Sequence, residues 1–228
     1  REMRRRNVFV SIDLHNNTGT NPYYACVCST APEHLQLASL FSRTVVYFTQ
    51  PEGVQTMAFM KLCPSITCEC GKVGDAGGVS HAADLLTACL HLAEFPHQQV
   101  PPGDVHLFHT VATVKVPEEV SISFGEETAD LVFPEDLDRW NFNEVGPGAE
   151  IACRAAGSQA RLQVLDATGQ YRHADYISIS GNSLRLKKRL LPSMLTLDRR
   201  VIRQDCLCYF MERFDGRRMA LDSEQSQQ

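Results

Sequence analysis

The sequence predicts an α/β fold in two parts: a helix-and-strand layer with a mostly parallel or mixed sheet, then a β-rich segment. Three observations carry this. Up to about residue 97, short β-forming runs alternate with helical patterns, the signature of helices laid on a sheet. Residues 98–103 bring together Pro101, Pro102 and Gly103, the chemistry of a linker. Beyond them helical periodicity mostly disappears and short strand-like runs follow one another between turns. The expected organisation is therefore 1–97, a linker at 98–103, a β-rich domain over 104–221 and a disordered polar tail at 222–228.

In chain order, Asn7 to Leu14 reads as a buried strand, because Val8, Phe9, Val10 and Ile12 are β-formers in a short run. Asn16 to Pro22 is loop chemistry. Tyr23 to Cys28 is a second short apolar run. Pro32 opens a helix to about Phe41, since proline suits a first turn. Val45 to Phe48 is strand-like, Gln55 to Leu62 helical, and Ser65 to Cys70 another buried strand. Gly71 to Gly78 reads as a glycine-rich loop. Val79 to Glu94 then places Val79, Ala82, Ala83, Leu86, Leu90 and Ala93 on one helical face. In the second part, strands are expected over 105–116, 120–124, 131–133, 150–154, 161–165 and 176–180, with 201–214 an apolar run of open type.

The chain has 228 residues, 43% of them hydrophobic and 21% charged, which suits a soluble globular protein. No apolar run approaches a membrane span, and the N-terminal residues carry no secretory pattern. Nine cysteines without such a segment read as reduced thiols, and a cytoplasmic location is expected. The net charge of −5 argues against a general nucleic-acid binder. Residues 117–150 are acidic, with Arg139 their one basic side chain, whereas 185–218 are mainly basic. These stretches could mate within a chain or in a homo-oligomer, and a solvated face is favoured over a nucleic-acid patch. Neither a nucleic acid nor a membrane is expected as a partner.

Two strand ends carry the chemistry. Ser11–Thr18 contains Asp13-Leu14-His15-Asn16, and Ile66–Lys72 contains Glu69-Cys70-Gly71. In α/β sheets ligands gather at the carboxyl ends of strands. His15 is a candidate metal ligand, with Asp13 on the same side of the strand to orient its ring. The bland reading is a histidine that caps a loop or is simply exposed. Glu69, in an otherwise apolar strand, is costly to bury without a partner. It is either a general base with a raised pKa or a buried carboxylate paired with a cation such as Lys72. The pairs Cys26/Cys28, Cys68/Cys70 and Cys206/Cys208 could each clip a metal, but small buried apolar residues are the favoured reading. His91-Leu92-Ala93-Glu94 reads as a solvated helix face, and Trp140 as core of the β-rich part. The sequence holds no G-x-S-x-G elbow, P-loop or G-x-G-x-x-G.

With these residues together, the chain resembles the succinylglutamate desuccinylase/aspartoacylase family of the zinc carboxypeptidase-like superfamily. The resemblance rests on Asp13-Leu14-His15-Asn16, Glu69-Cys70-Gly71 and the glycine-containing loop and helix that follow. It extends to Leu131-Val132-Phe133 and Glu144-Val145-Gly146-Pro147-Gly148. It implies a partial zinc-carboxypeptidase-like α/β domain and a zinc-dependent hydrolase of small N-acyl amino acids or related amides. It also implies that His15 is the third zinc ligand and Glu69 the catalytic carboxylate. The family's first two ligands come from an H-x-x-E that precedes D-L-H. No such motif lies between Arg1 and His15, so those ligands are expected upstream of Arg1, and this chain is expected to be inactive alone. Asn16, Asn17 and Tyr24 are candidates to line the substrate pocket. A non-catalytic binding or scaffold protein on the same fold is the alternative, and a thiol-rich metal or redox protein ranks last.

Overall fold

A computed structural model describes residues 2–101, 103–125 and 128–214. The tail expected at 222–228 lies outside the described residues. The strands are β1 (Ser11–Asn17), β2 (Tyr24–Val27), β3 (Thr44–Tyr47), β4 (Ser65–Lys72), β5 (His106–Lys115), β6 (Ile122–Phe124) and β7 (Leu131–Phe133). They continue with β8 (Glu150–Arg154), β9 (Gln163–Leu165), β10 (Ile177–Ser180), β11 (Ser183–Leu186), β12 (Leu191–Ser193) and β13 (Cys208–Arg213). The α-helices are α1 (Pro32–Phe41), α2 (Gln55–Phe59), α3 (Ala76–Leu90), α4 (His173–Tyr176) and α5 (Arg199–Gln204).

The main sheet runs β1-β4-β2-β3-β5-β13-β12, with β9 added on β5. It is mixed: β1 and β4 are parallel, β4 and β2 antiparallel, β2 and β3 parallel. The sheet crosses the 98–103 segment, because β5 pairs in parallel with β3 and β13 returns antiparallel on β5. A second sheet of five strands runs β10-β11-β8-β7-β6. The second part of the chain thus completes the first sheet and builds another.

Alternation along the strands divides the main sheet into two faces. Ala25, Val27, Val45, Ile66, Cys68 and Cys70 point to the face covered by α1 and α3 and join Leu35, Leu37 and Phe41 in one apolar core. A larger core lies between the two sheets, built on residues such as Phe133, Ile151, Leu184 and Phe210, with Trp140 packed at its margin. A small third cluster of Tyr24, Val46, Phe108, Leu191 and Met211 joins strands from both parts of the chain.

α1 spans the predicted helix, with Pro32 in its first turn. α3 starts earlier than the sequence suggests, because the Asp75 side chain caps it by accepting from the Gly77 amide. Its buried face also differs from the predicted one. Gly78, Ala82, Leu85 and Cys89 face the core, whereas Val79 and Leu90 are 68% and 85% exposed. The reason is a close approach. A Cβ on Gly78 would lie 1.8 Å from the Cys70 carbonyl oxygen of β4, so the helix docks through its glycine and turns Val79 outward. His91 and Glu94 lie just past the end of α3 and are exposed, in keeping with a solvated surface.

This contact makes a prediction against helix propensity. Alanine is a better helix former than glycine, yet Gly78→Ala should lower stability by about 1–3 kcal/mol, the range of an overpacked core. Urea unfolding of the two proteins measures it; equal or higher stability in the variant would contradict the close helix–strand contact.

Candidate active site

β4 is buried along nearly its whole length and lies between β1 and β2. Its register fixes the site. Glu69 is opposite His15 on one side and opposite Tyr24 on the other. One step down, Thr67 is opposite Asp13 and Cys26, and Cys26 is opposite Val46 of β3. Residues in register share a face, so these seven side chains tile one patch of sheet. All seven line a cavity of about 360 Å³ on the face away from α1 and α3. Its walls come from Gln55 of α2, the 48–54 loop, Ser193 at the end of β12 and Met194 after it, and Asp205 and Tyr209 around the start of β13. α2 is tied to the floor by the Thr56–Thr67 hydroxyl pair at 2.6 Å and by Gln55, which donates to Ser11 Oγ and the Ile12 carbonyl.

His15 is half-exposed and bracketed by carboxylates. Its Nε2 lies 3.1 Å from Asp13 Oδ2 and its Nδ1 3.8 Å from Glu69 Oε1. The same-strand neighbour therefore meets the ring in the way that alternation predicts. Glu69 is 6% exposed. Burial pushes its carboxyl above the usual carboxylate range and nearby Asp13 adds to this, while the Asn17 hydrogen bond and His15 pull it back. Lys72 does not pair with Glu69: it donates to Thr20 Oγ1. Of the cations that the bland reading of Glu69 allowed, an arginine or a lysine such as Lys72, the geometry rules out Lys72.

The three pocket candidates separate. Asn17 donates from Nδ2 to Glu69 Oε2 at 3.3 Å, while its Oδ1 is buried with no protein partner. A register shift between β1 and β4 permits this: two residues of β1 pass three of β4, and Gly71 takes up the extra length at φ +81°. Asn16 donates to the Gly71 carbonyl, and neither it nor Asn17 lines the cavity. Tyr24 does line it, buried, with its hydroxyl donating to Met194 Sδ at 2.9 Å and its ring 4.7 Å from Phe142.

Sequence reasoning missed Thr67, Cys26, Gln55, Asp205 and Tyr209. The first two were within reach, because alternation from Glu69 and Tyr24 selects the residue two positions away. The others come from distant segments with no local signal. The cysteines are all free. Cys26 faces the cavity, but burial and the neighbouring Glu69 hold its thiol well above its ordinary value, so it is a poor nucleophile. Burial likewise pushes Cys206 up to about 12.

No family model and no curated protein matches the chain. Solved structures do. Murine aminoacylase 3 matches over 90% of this chain and 63% of its own, at 12% identity and a TM-score of 0.50. A succinylglutamate desuccinylase/aspartoacylase from Rhodobacter sphaeroides matches over 90% of this chain and 58% of its own, at 13% identity and a TM-score of 0.52. The chain has their fold. It spans about three fifths of the length of these two structures.

The zinc ion implied by the resemblance can be tested against the donor set. A catalytic zinc uses three protein ligands. Among the described residues, no group of three His, Cys, Asp or Glu side chains is arranged to hold a metal ion. His15 could give one imidazole, but both its nitrogens already face carboxylates. The described residues do not by themselves fit the ion.

The carboxyl of Glu69 gives a direct check. Because its folded-state pKa is raised, the native state binds the proton more tightly than the unfolded chain. Its contribution therefore lowers stability as pH rises from the unfolded value to the folded one, and the penalty persists above that window. Removing the Asn17 donor, which favours the charged form, should move the Glu69 midpoint further up. Carbon-detected NMR of the Glu69 carboxyl in Asn17→Ala reports it; an unmoved or lowered midpoint would contradict the hydrogen bond's role.

Proposed function

We propose that this chain forms part of a hydrolase that cleaves the amide bond of a small N-acyl compound, with Glu69 as general base. One observation carries the reading: His15, Glu69 and Tyr24 stand abreast on three adjacent strands at a cavity floor, with Glu69 buried and shifted toward neutrality. The fold shared with an aminoacylase and a desuccinylase/aspartoacylase supports it. A carboxylate with a raised pKa is suited to take a proton and return it. Glu69 takes the proton of a water as its oxygen bonds to the amide carbon. It then passes that proton to the nitrogen as the carbon–nitrogen bond breaks, giving a carboxylic acid and an amine. Asn17 holds the carboxylate in place from behind, and Asp13 holds the ring of His15. Asn17 and Asp13 are positioning residues, and Tyr24 shapes the wall.

A zinc ion, where present, would polarise the scissile carbonyl. His15 is the residue of this chain suited to be one of its ligands. The second reading is a binding protein on the same fold, with the cavity over His15, Glu69 and Tyr24 as its pocket.

Two measurements separate the readings. In the hydrolase reading, Glu69→Gln should lower amide turnover by about a hundredfold or more while ligand affinity is kept. Unchanged turnover would remove Glu69 as the base. Zinc titration into the purified chain, followed by calorimetry, should give at most weak binding, because the described residues supply a single imidazole where a catalytic zinc uses three ligands, and His15→Ala should weaken it further. Tight zinc binding that is indifferent to His15 would contradict its place as a ligand.

A further inference from the structure

A separate hollow of about 470 Å³ lies at the opposite end of β1 and β4 from His15 and Glu69. It is bounded by the residues that lead into β1, the start of α1, the loop that leads into β4 and the segment after α3. Ser65, which begins β4 beside it, is four residues from Glu69, about 13 Å along an extended strand. The hollow and the active-site cavity share no lining residue.

What sets this hollow apart is His34, in the first turn of α1, which lines it and yet is only 3% exposed. Its ring is locked against β4. The Ser65 amide donates to Nδ1 at 3.1 Å, and the Ser65 carbonyl lies 3.3 Å from the same atom. A buried amide left unpaired is rarer than a carbonyl left so; Nδ1 is therefore the bare acceptor, and the ring proton sits on Nε2. With Nδ1 turned to the strand, Nε2–H is the polar group that His34 brings to the hollow. Among the described residues it has no hydrogen-bond partner.

Apolar walls accompany this donor. Phe9 and Phe95 stack with ring centroids 5.1 Å apart and 25° between their planes. Phe95 is buried, whereas Phe9 is 38% exposed and leaves aromatic surface open to the hollow. Met60 and Leu62 add aliphatic surface. Charge enters with both signs, as Glu33 and Glu94 against Lys61 and His97. Glu33 is half-buried and the other three are exposed, so these groups form a rim that favours neither sign.

One neutral donor does not hold a carboxylate out of water, and a cation set against an N–H is worse placed still. A carbonyl oxygen on a flat apolar body satisfies the donor and extends the ring stack. We infer that this hollow is a second ligand site, for a small uncharged aromatic carbonyl compound whose oxygen accepts from His34 Nε2–H and whose ring lies on Phe9. The volume suits a ligand of that size. The site is independent of the proposed hydrolysis, since none of its residues belongs to the active-site cavity.

Acetophenone and α-methylstyrene test it, because they share a shape and differ only in C=O against C=CH₂. His34→Asn is the matching variant: its side-chain oxygen takes the place of Nδ1 and keeps the Ser65 amide paired, while Nε2–H is gone. Titration of the purified chain, followed by amide NMR shifts, gives the affinity of each probe. The ratio of acetophenone to α-methylstyrene affinity should fall about tenfold in His34→Asn. Phe9→Ala should weaken both probes by a similar factor and leave that ratio as it was. Benzoate, of similar size but charged, should bind more weakly than acetophenone. The unaltered protein gives a check that needs no variant. Nitrogen-15 spectra of the His34 ring should place the proton on Nε2, and acetophenone, but not α-methylstyrene, should move that signal. A ratio unchanged in His34→Asn, a ring proton on Nδ1, tighter binding of benzoate, or no acetophenone binding in this hollow would each overturn the inference. Neither neutral probe contains an amide bond, so these outcomes do not depend on whether the chain is part of a hydrolase.

Discussion

Everything at this site follows from β4 being a strand buried on both faces that nevertheless carries a carboxylate. A strand with helices on one side and open cavity on the other can hold Glu69 only toward the cavity, because ionised oxygen packed into the Cys68–Cys70 face would go unpaired. The two neighbours of β4 then have no freedom. The parallel register of β1 sets His15 beside Glu69, and the antiparallel register of β2 sets Tyr24 on its other flank. A one-residue slip of either strand would swing its functional side chain to the helical face. The same row of hydrogen bonds that makes the sheet therefore also assembles the site.

The remaining walls come from the second part of the chain, and Tyr24 is where the two parts meet. It lies in the small apolar cluster with Phe108, Leu191 and Met211, and against Phe142 and Met194. Among the described residues, Phe142 and Met194 are the non-glycine residues that adopt positive φ, at 58° and 62°. Bulky side chains rarely adopt that conformation, and it persists only where surroundings enforce it. Here the enforcement is visible: the Phe142 amide donates to the Pro192 carbonyl, and the Met194 amide to Asn21 Oδ1. The strained turns carry both side chains onto Tyr24 and bring the β12 segment over the floor. Floor and wall are thus coupled through one buried ring.

Much of this was legible in the sequence, and what was not has physical causes. Pro32 fixed the start of α1, and the β-forming runs marked β1 to β4 to within a few residues. The pairing of His15 with Glu69 followed from both lying at strand ends, and Asp13 from alternation. The strands β11 and β12 carry a weaker signal: Ser183–Leu186 alternates but is only four residues long, and Leu191–Ser193 contains a proline, so both depend on their partners for definition. Residues 201–214 divide into α5 and β13 because the Asp198 side chain caps a short helix that ends before Cys206. The buried face of α3 misled because apolarity is only a proxy for docking, and Gly78, the residue that decides the approach, has no side chain to be counted. Asp205 and Tyr209 reach the cavity through long-range pairing that no local pattern encodes.

The central claim is that the amide sits on the β1-β4-β2 face, beside Glu69. Isotope-filtered NOEs between N-pentylacetamide and the labelled protein test this most directly. The account predicts contacts from the acetyl group to Tyr24, Cys26 and Thr67. Contacts confined instead to the separate hollow lined by Val8, His34, Met60 and Phe95 would contradict it, because that hollow lacks Glu69 altogether.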